Sequence, residues 1–168
     1  MLLDFQPSKR SIILKKLLSL ALLVALAVPA YADKLGEVTT AWKLIGANHT
    51  IQVEVFDDPR VVGVSCYISR AKTGGVMGSF GLAEDTSDAS VACRQVGAFE
   101  FVNPLPIQEE VFTERASPLF KKMRVVRMVD PKRNVLTYLV YNDKMIEGSP
   151  KNSITAVPVP REIKIPLK

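Results

Sequence analysis

The sequence is poor in the residues and motifs on which common enzyme mechanisms depend. Its 168 residues include one histidine and two cysteines. Any mechanism with a histidine base must therefore use His49. The chain has no G-x-S-x-G, no H-E-x-x-H, and neither a Walker A nor a G-x-G-x-x-G phosphate motif. These absences argue against a nucleophile-elbow hydrolase, a zinc protease and a nucleotide-binding enzyme.

A hydrophobic, uncharged stretch of 12 residues, LLSLALLVALAV, lies near the N-terminus at 17–28. Basic residues precede it, and Ala30-Tyr31-Ala32 supplies the small residues of a signal-peptidase site. A helix of this length rises about 18 Å, which is short of the roughly 30 Å hydrocarbon core. We therefore expect residues 1–32 to be a secretory signal peptide cleaved after Ala32. The mature chain would then be periplasmic, without a stable membrane anchor.

Residues 33–168 are nearly balanced in charge, with 18 Lys and Arg against 16 Asp and Glu. Much of the excess positive charge of the full chain therefore belongs to the predicted signal peptide. A nucleic-acid-binding surface needs clustered basic residues on one face, so we expect no nucleic-acid partner. The 136 residues that remain are enough for a single domain with a core of its own.

Alternating hydrophobic and polar residues indicate strands along most of this domain. From 49 to 56, Ile51, Val53 and Val55 alternate with Thr50, Gln52 and Glu54, the period of a half-buried strand. About eight such segments, with no sustained helical period, predict an all-β fold. We expect a mainly antiparallel sandwich or partly open barrel with at most one or two short helices. The predicted strands are 34–45, 49–56, 61–70, 89–96, 98–102, 119–129, 135–142 and 154–159.

The clearest hairpin joins the predicted strands 119–129 and 135–142. The first of these strands carries four basic residues, and we interpret them as a solvated edge. They are Lys121, Lys122, Arg124 and Arg127. The segment 108–115 is ambiguous between strand and other structure, and the tail after Pro160 is predicted to be an edge or frayed.

Cys66 and Cys93 lie in phase with hydrophobic residues on two predicted strands. Cys66 shares a face with Val62, Val64 and Ile68, and Cys93 follows Ala89 and Val91 in the same phase. In an exported domain this arrangement favours an intramolecular disulfide with a Cα separation of about 5.5–6 Å. A redox-active or metal-binding pair is disfavoured, because there is no C-x-x-C and only one histidine.

The loop between the cysteines carries two candidate sites. Arg70 and Lys72 with the glycine-rich turn Thr73-Gly74-Gly75 suggest a nest for an anion or a partner. The alternative is a hairpin tip with solubilising charge. Glu84, Asp85 and Asp88 suggest a weak metal site or an acidic surface, to which Asp57-Asp58 is a possible contributor. Their spacing fits no calcium motif, and a solvated acidic loop is the simpler interpretation; we assign no metal site.

Several longer segments of the sequence resemble the CreA family of bacterial envelope proteins. They are SRAKTGG, GLAEDTSDAS, CRQVG, FKKMRVVR, KRNVLTYLVY and DKMIEGSPKNSITAVPV, spread over residues 34–159. The resemblance implies a link to catabolite regulation and supplies no catalytic residue. We expect no cofactor.

Together these observations favour an exported, non-enzymatic β-domain that binds a small ligand or an envelope protein through the 70–88 loop. One alternative is a hydrolase-type envelope enzyme that uses His49 or the cluster of Glu84, Asp85 and Asp88. Another is a structural or stress-stability factor of the envelope.

Overall fold

The structure is a computed structural model that describes residues 31–41, 48–72, 89–115, 122–143 and 151–168. Within these ranges the chain forms eight β-strands and no helix, which confirms the all-β prediction. None of these residues therefore forms a helix suited to crossing a membrane. The strands are β1 (Asp33–Ala41), β2 (His49–Asp57), β3 (Val61–Lys72), β4 (Ala89–Phe101), β5 (Gln108–Arg115), β6 (Lys122–Asp130), β7 (Val135–Asn142) and β8 (Asn152–Pro158).

The strands form two four-stranded antiparallel sheets, in the orders β1-β2-β3-β4 and β5-β6-β7-β8. Phe56 of β2 stacks on Phe112 of β5 with ring centroids 4.5 Å apart, so the sheets pack face to face. Arg94 of β4 in the first sheet donates a hydrogen bond to Thr155 of β8 in the second sheet. The fold is thus an antiparallel sandwich, one of the two predicted architectures, and it does not close into a barrel.

The disulfide between Cys66 and Cys93 lies within the first sheet, where the two residues are direct partners on β3 and β4. Both side chains are fully buried. Their Cα atoms are 3.9 Å apart, closer than the predicted separation. The reason is the register, because directly opposed residues of antiparallel strands approach more closely than residues on two facing sheets.

The buried row of β2 is its polar row. Gln52 and Glu54 face the core with Phe56, whereas Ile51 of the hydrophobic row is 41% exposed. Phe56 has to face inward to stack on Phe112, and the strand period of two then turns Glu54 and Gln52 inward as well. The alternation predicts the strand correctly, but hydrophobicity alone predicts the wrong buried face.

A register irregularity merges two predicted strands into β4. The separate strands 89–96 and 98–102 are one strand whose ladder with β3 shifts between Val62 and Val64. Gly63 takes a φ of +84° at this point and packs against the backbone of Ala98. The shift leaves Val62 50% exposed, so its prediction in the buried row with Val64 is wrong.

The tail after Pro160 is held against the second sheet, so of the two predicted alternatives, an edge or a frayed end, the frayed end is wrong. Asn134, in the left-handed region at φ 57°, donates from Nδ2 to the carbonyl oxygen of Ile163 over 2.9 Å. The backbone N–H of Leu105 donates to Pro166 over 2.8 Å, and Ile165 is 4% exposed. The ambiguous segment 108–115 is strand β5, and part of the predicted strand 34–45 lies outside the described residues.

Replacing Gly63 by Ala tests the irregularity. A Cβ at this position would clash with the carbonyl oxygen of Ala98 and would carry the strain of a positive φ. We expect Gly63→Ala to lower the free energy of unfolding by about 1–3 kcal/mol in urea denaturation. Gly36→Ala is the matched control, because its Cβ would meet nothing within 4 Å. Equal stability of the two variants would contradict this account of the ladder.

Candidate functional site

A buried ion pair joins the two sheets near the turn between β2 and β3. Arg127 of β6 lies in the inward row with Met123, Val125 and Val129, and its side chain is fully buried. Its Nη1 donates to both oxygens of Asp58, over 2.6 and 2.8 Å. The side chain of Asp58 is also fully buried. Such a pair is stable inside a protein only when further hydrogen bonds satisfy the carboxylate.

The turn and a tyrosine provide these further hydrogen bonds to Asp58. The backbone N–H groups of Arg60 and Val61 donate to Oδ1 over 2.8 and 3.1 Å. The hydroxyl of Tyr138 on β7 donates to Oδ2 over 2.9 Å. Burial, and then the nearby charge of Asp58, raise the pKa of Tyr138 well above its ordinary value. Tyr138 therefore remains a protonated donor.

Two surface residues extend the network outward. Glu109 of β5 accepts from Nη2 of Arg127 and pairs with Arg60 over 3.0 Å. The prediction of a solvated edge is therefore wrong for Arg127, because β6 is a central strand between β5 and β7. Lys121 lies outside the described residues. With Asp58 and Glu109 both hydrogen-bonded to protein donors, the arrangement suits holding the sheets together rather than chemistry on a substrate.

A second charge cluster lies farther along the sandwich, where Arg70 of β3 meets two carboxylates. Its Nη2 lies 2.7 and 2.8 Å from the oxygens of Glu54 and 2.7 Å from Glu114 of β5. Gln52 donates to Glu54 over 2.6 Å. Burial opposes the charge of Arg70, but its hydrogen bonds to Glu114 and Glu54 outweigh burial and raise the pKa of Arg70. This guanidinium is held in one place and stays charged.

A cavity of about 340 Å³ opens at this end of the sandwich. It lies where β3 ends and β4 begins, the two ends of the predicted 70–88 loop, and we call it the basal cavity. The hydroxyls of Ser69 and Ser90 share a hydrogen bond of 2.9 Å at its wall. The described residues that line it are Ile51, Ser69, Arg70, Ala71, Ala89, Ser90, Lys151, Asn152 and Ser153.

The structure places part of the predicted binding loop at this cavity. Arg70 lines it, and Lys72 is exposed at the end of β3. The rest of the loop's candidate residues lie outside the described residues, so their anion-binding or metal-binding roles stay predictions: Thr73, Gly74, Gly75, Glu84, Asp85 and Asp88.

The remaining candidates occupy other positions. His49 begins β2 and is half-buried, and its carbonyl oxygen accepts a hydrogen bond from Thr40. Asp57 accepts from the hydroxyl of Ser65, and Asp58 is bound by Arg127. Across the ranges that the structure describes, no three His, Cys, Asp or Glu side chains converge as metal ligands do.

Sequence reasoning missed the pair of Asp58 with Arg127 and the contribution of 151–153 to the cavity. One signal was present for Arg127, which alternates in phase with Met123, Val125 and Val129 in a hydrophobic row. No local sequence pattern indicates the role of Asp58, because its partner Arg127 is 69 residues away. None indicates that the start of β8 lines the cavity, because β8 belongs to a different sheet from β3 and β4.

Comparison with protein-family models matches residues 35–162 to the family described as CreA protein. The chain belongs to the CreA family. The match spans β2 to β8 in full and all but the first two residues of β1, so it includes both charge clusters and the cavity lining. The resemblance noted in the sequence is therefore confirmed.

Curated relatives agree with this assignment. Proteins named Protein CreA from Escherichia coli strains K12, O6:H1 and O157:H7 are each 54% identical to the chain over 147 residues. Each alignment covers 85% of this chain and 93% of the relative. No solved structure matches the chain.

Removing the charge of Asp58 should destabilise the CreA fold strongly. Asp58→Asn keeps the size of the side chain but removes the buried carboxylate that faces Arg127 and leaves Glu109 as its remaining charged partner. Breaking a buried pair in this way typically costs about 3–5 kcal/mol. Asp130→Asn is the control, since the Asp130–Arg133 pair is exposed to solvent and should contribute little. Urea denaturation of both variants measures the difference. Similar losses in the two would contradict a sheet-joining role for Asp58.

Proposed function

We propose that this CreA-family chain is an exported, non-enzymatic binding domain whose site is the basal cavity. The observation that carries the proposal is the position of that cavity, between the two strand ends from which the 70–88 loop departs. A loop whose ends are fixed by a rigid sheet is a common location for binding residues. The disulfide between the same two strands supports that rigidity.

The size and lining of the cavity support binding of a small ligand. Its volume of about 340 Å³ lies within the range of known ligand sites, about 300–1,000 Å³. The wall combines hydrophobic Ile51 and Ala71 with hydroxyl, amide and cationic groups. A small number of fixed polar groups beside hydrophobic surface is what orients a ligand.

The proposal of export rests on the N-terminal sequence. Its basic residues, hydrophobic stretch and Ala30-Tyr31-Ala32 together resemble a cleaved secretory signal. Cleavage after Ala32 would leave Asp33, the first residue of β1, as the mature N-terminus.

Titration of the protein isolated from the periplasmic fraction tests both parts of the proposal. N-terminal sequencing should find Asp33 first. We then follow the backbone amides by NMR while adding phosphate, acetate, glucose or spermidine in turn. At least one of these probes should shift the amides of Ser69, Ala71 and Ser90 in a saturable manner.

Two alanine variants provide the matched comparison. Ala71 and Ala92 are both half-buried, but only Ala71 lines the cavity. Ala71→Phe should fill the cavity and abolish the shifts, whereas Ala92→Phe should keep them. A panel that shifts none of these amides would favour a structural role in the envelope, and retention of residues 1–32 would contradict export.

A further inference from the structure

Half of the strand ends lie together at one end of the sandwich. Because all neighbouring strands are antiparallel, β1, β3, β5 and β7 end there, and β2, β4, β6 and β8 begin there. The ion pair of Arg70 on β3 with Glu114 on β5 brings these ends of the two sheets side by side. We call this the open end, because the basal cavity opens there. The short turns 58–60 and 131–134 lie at the opposite end.

The open end carries exposed cations that have no ion pair. Lys72 is the last residue of β3, Arg115 is the last of β5, and Lys122 is the first of β6. All three are exposed, and within the described ranges none of them pairs with a carboxylate. The described carboxylates beside them are each bound by an arginine; they are Glu110, Glu114 and Asp143. The three cations therefore face solvent without compensation from these carboxylates.

Arg115 and Lys122 are also direct cross-strand partners on β5 and β6. Two like charges in opposite positions of an antiparallel pair repel each other and destabilise the hairpin. The isolated domain gains no stability from this arrangement, whereas an anionic surface placed against the pair would offset the repulsion. The pair is therefore evidence for a partner and for the sign of its charge.

The excess positive charge of residues 33–168 belongs to the open end and its connecting segments. Of the 18 Lys and Arg and the 16 Asp and Glu in this range, seven and five respectively lie in 42–47, 72–88, 115–122 and 143–151, which leaves eleven of each elsewhere. A negatively charged partner is therefore attracted to this end of the domain in preference to the other.

Hydrophobic residues at the open end favour a membrane surface over an acidic protein. Val38 and Ile154 are each 65% exposed and lie two or three residues from the strand ends. The segments 42–47, 116–121 and 144–150, which join strands at this end, each place a lysine next to large hydrophobic residues, in WKLI, LFK and KMI. Cationic residues interspersed with hydrophobic ones are typical of surfaces that bind anionic lipid reversibly.

We propose that the open end binds reversibly to a bilayer surface that contains anionic phospholipid, with Lys72, Arg115 and Lys122 as the cations that face the headgroups. Each basic residue near such a surface contributes about fivefold to membrane partition, so several together give measurable binding without an anchor. The inference goes beyond the proposed function, because small-ligand binding in the basal cavity does not require it.

Vesicle sedimentation tests the proposal. The protein is the chain isolated from the periplasmic fraction, with a mass showing that residues 1–32 are absent. The probes are vesicles of phosphatidylcholine mixed with phosphatidylglycerol, and vesicles of phosphatidylcholine alone. The protein should sediment with the anionic vesicles only. Added salt should release it, because salt screens attraction between exposed charges.

A double variant without the like-charge pair identifies the surface. Arg115→Gln combined with Lys122→Gln should weaken partition into the anionic vesicles about tenfold or more. Because the repulsion is also removed, this variant should unfold at the same or a higher urea concentration than the unchanged protein. Lys132→Gln combined with Arg161→Gln is the matched control, since both residues are exposed at the opposite end and the net charge changes equally. The control should bind as the unchanged protein does.

Three results would overturn the inference. Failure of the protein to sediment with the anionic vesicles would remove the membrane as the partner. Equal sedimentation with both kinds of vesicle would show that the cations do not contribute. Equal weakening by the two double variants would show that net charge, and not the open end, governs binding. None of these results bears on the basal cavity, whose ligand titration is a separate measurement.

Discussion

The buried pair between Arg127 and Asp58 is the constraint on which the rest of the sandwich depends. A guanidinium with no exposed surface cannot exchange its partner for water, so Asp58 must stay within hydrogen-bond distance. This requirement fixes the turn after β2 against β6, one of the two central strands of the second sheet. Tyr138 and the turn's own N–H groups complete the carboxylate's hydrogen bonds, so the turn, β6 and β7 form one connected unit.

The two charge clusters divide the molecule into a closed end and an open end. Around Asp58 protein donors satisfy the carboxylate, and within the described ranges the network reaches solvent through Glu109 and Arg60. Toward the other end, the carboxylates of Glu54 and Glu114 hold Arg70 by one nitrogen, and the basal cavity opens beside it. The proposed function follows from this asymmetry, because the open end offers a cavity at the ends of the disulfide-linked strands β3 and β4.

Much of the fold could be predicted from local pattern. The strand 135–142 has the predicted bounds, the cysteines pair, and the hairpin of β6 and β7 forms where turn residues indicate it. Local pattern failed where the partner is distant in sequence. Glu54 is buried with Arg70 as its charged partner, and Arg127 is buried with Asp58. Neither partner can be identified from the alternation of one strand. The binding role of the 70–88 loop stays a prediction. The lining residues at 151–153 lie at the start of β8 in the other sheet, and the pattern around the loop does not indicate them.

A double-mutant cycle on Asp58 and Arg127 tests the central claim most directly. The cycle compares the unchanged protein with Asp58→Leu, Arg127→Met and the double variant by urea denaturation. If the pair joins the sheets as described, each single variant leaves the other residue's charge buried without this partner. The loss of unfolding free energy in the double variant should then be smaller than the sum of the two single losses by about 3 kcal/mol or more. Losses that simply add would show that the two residues contribute independently, and would contradict the account.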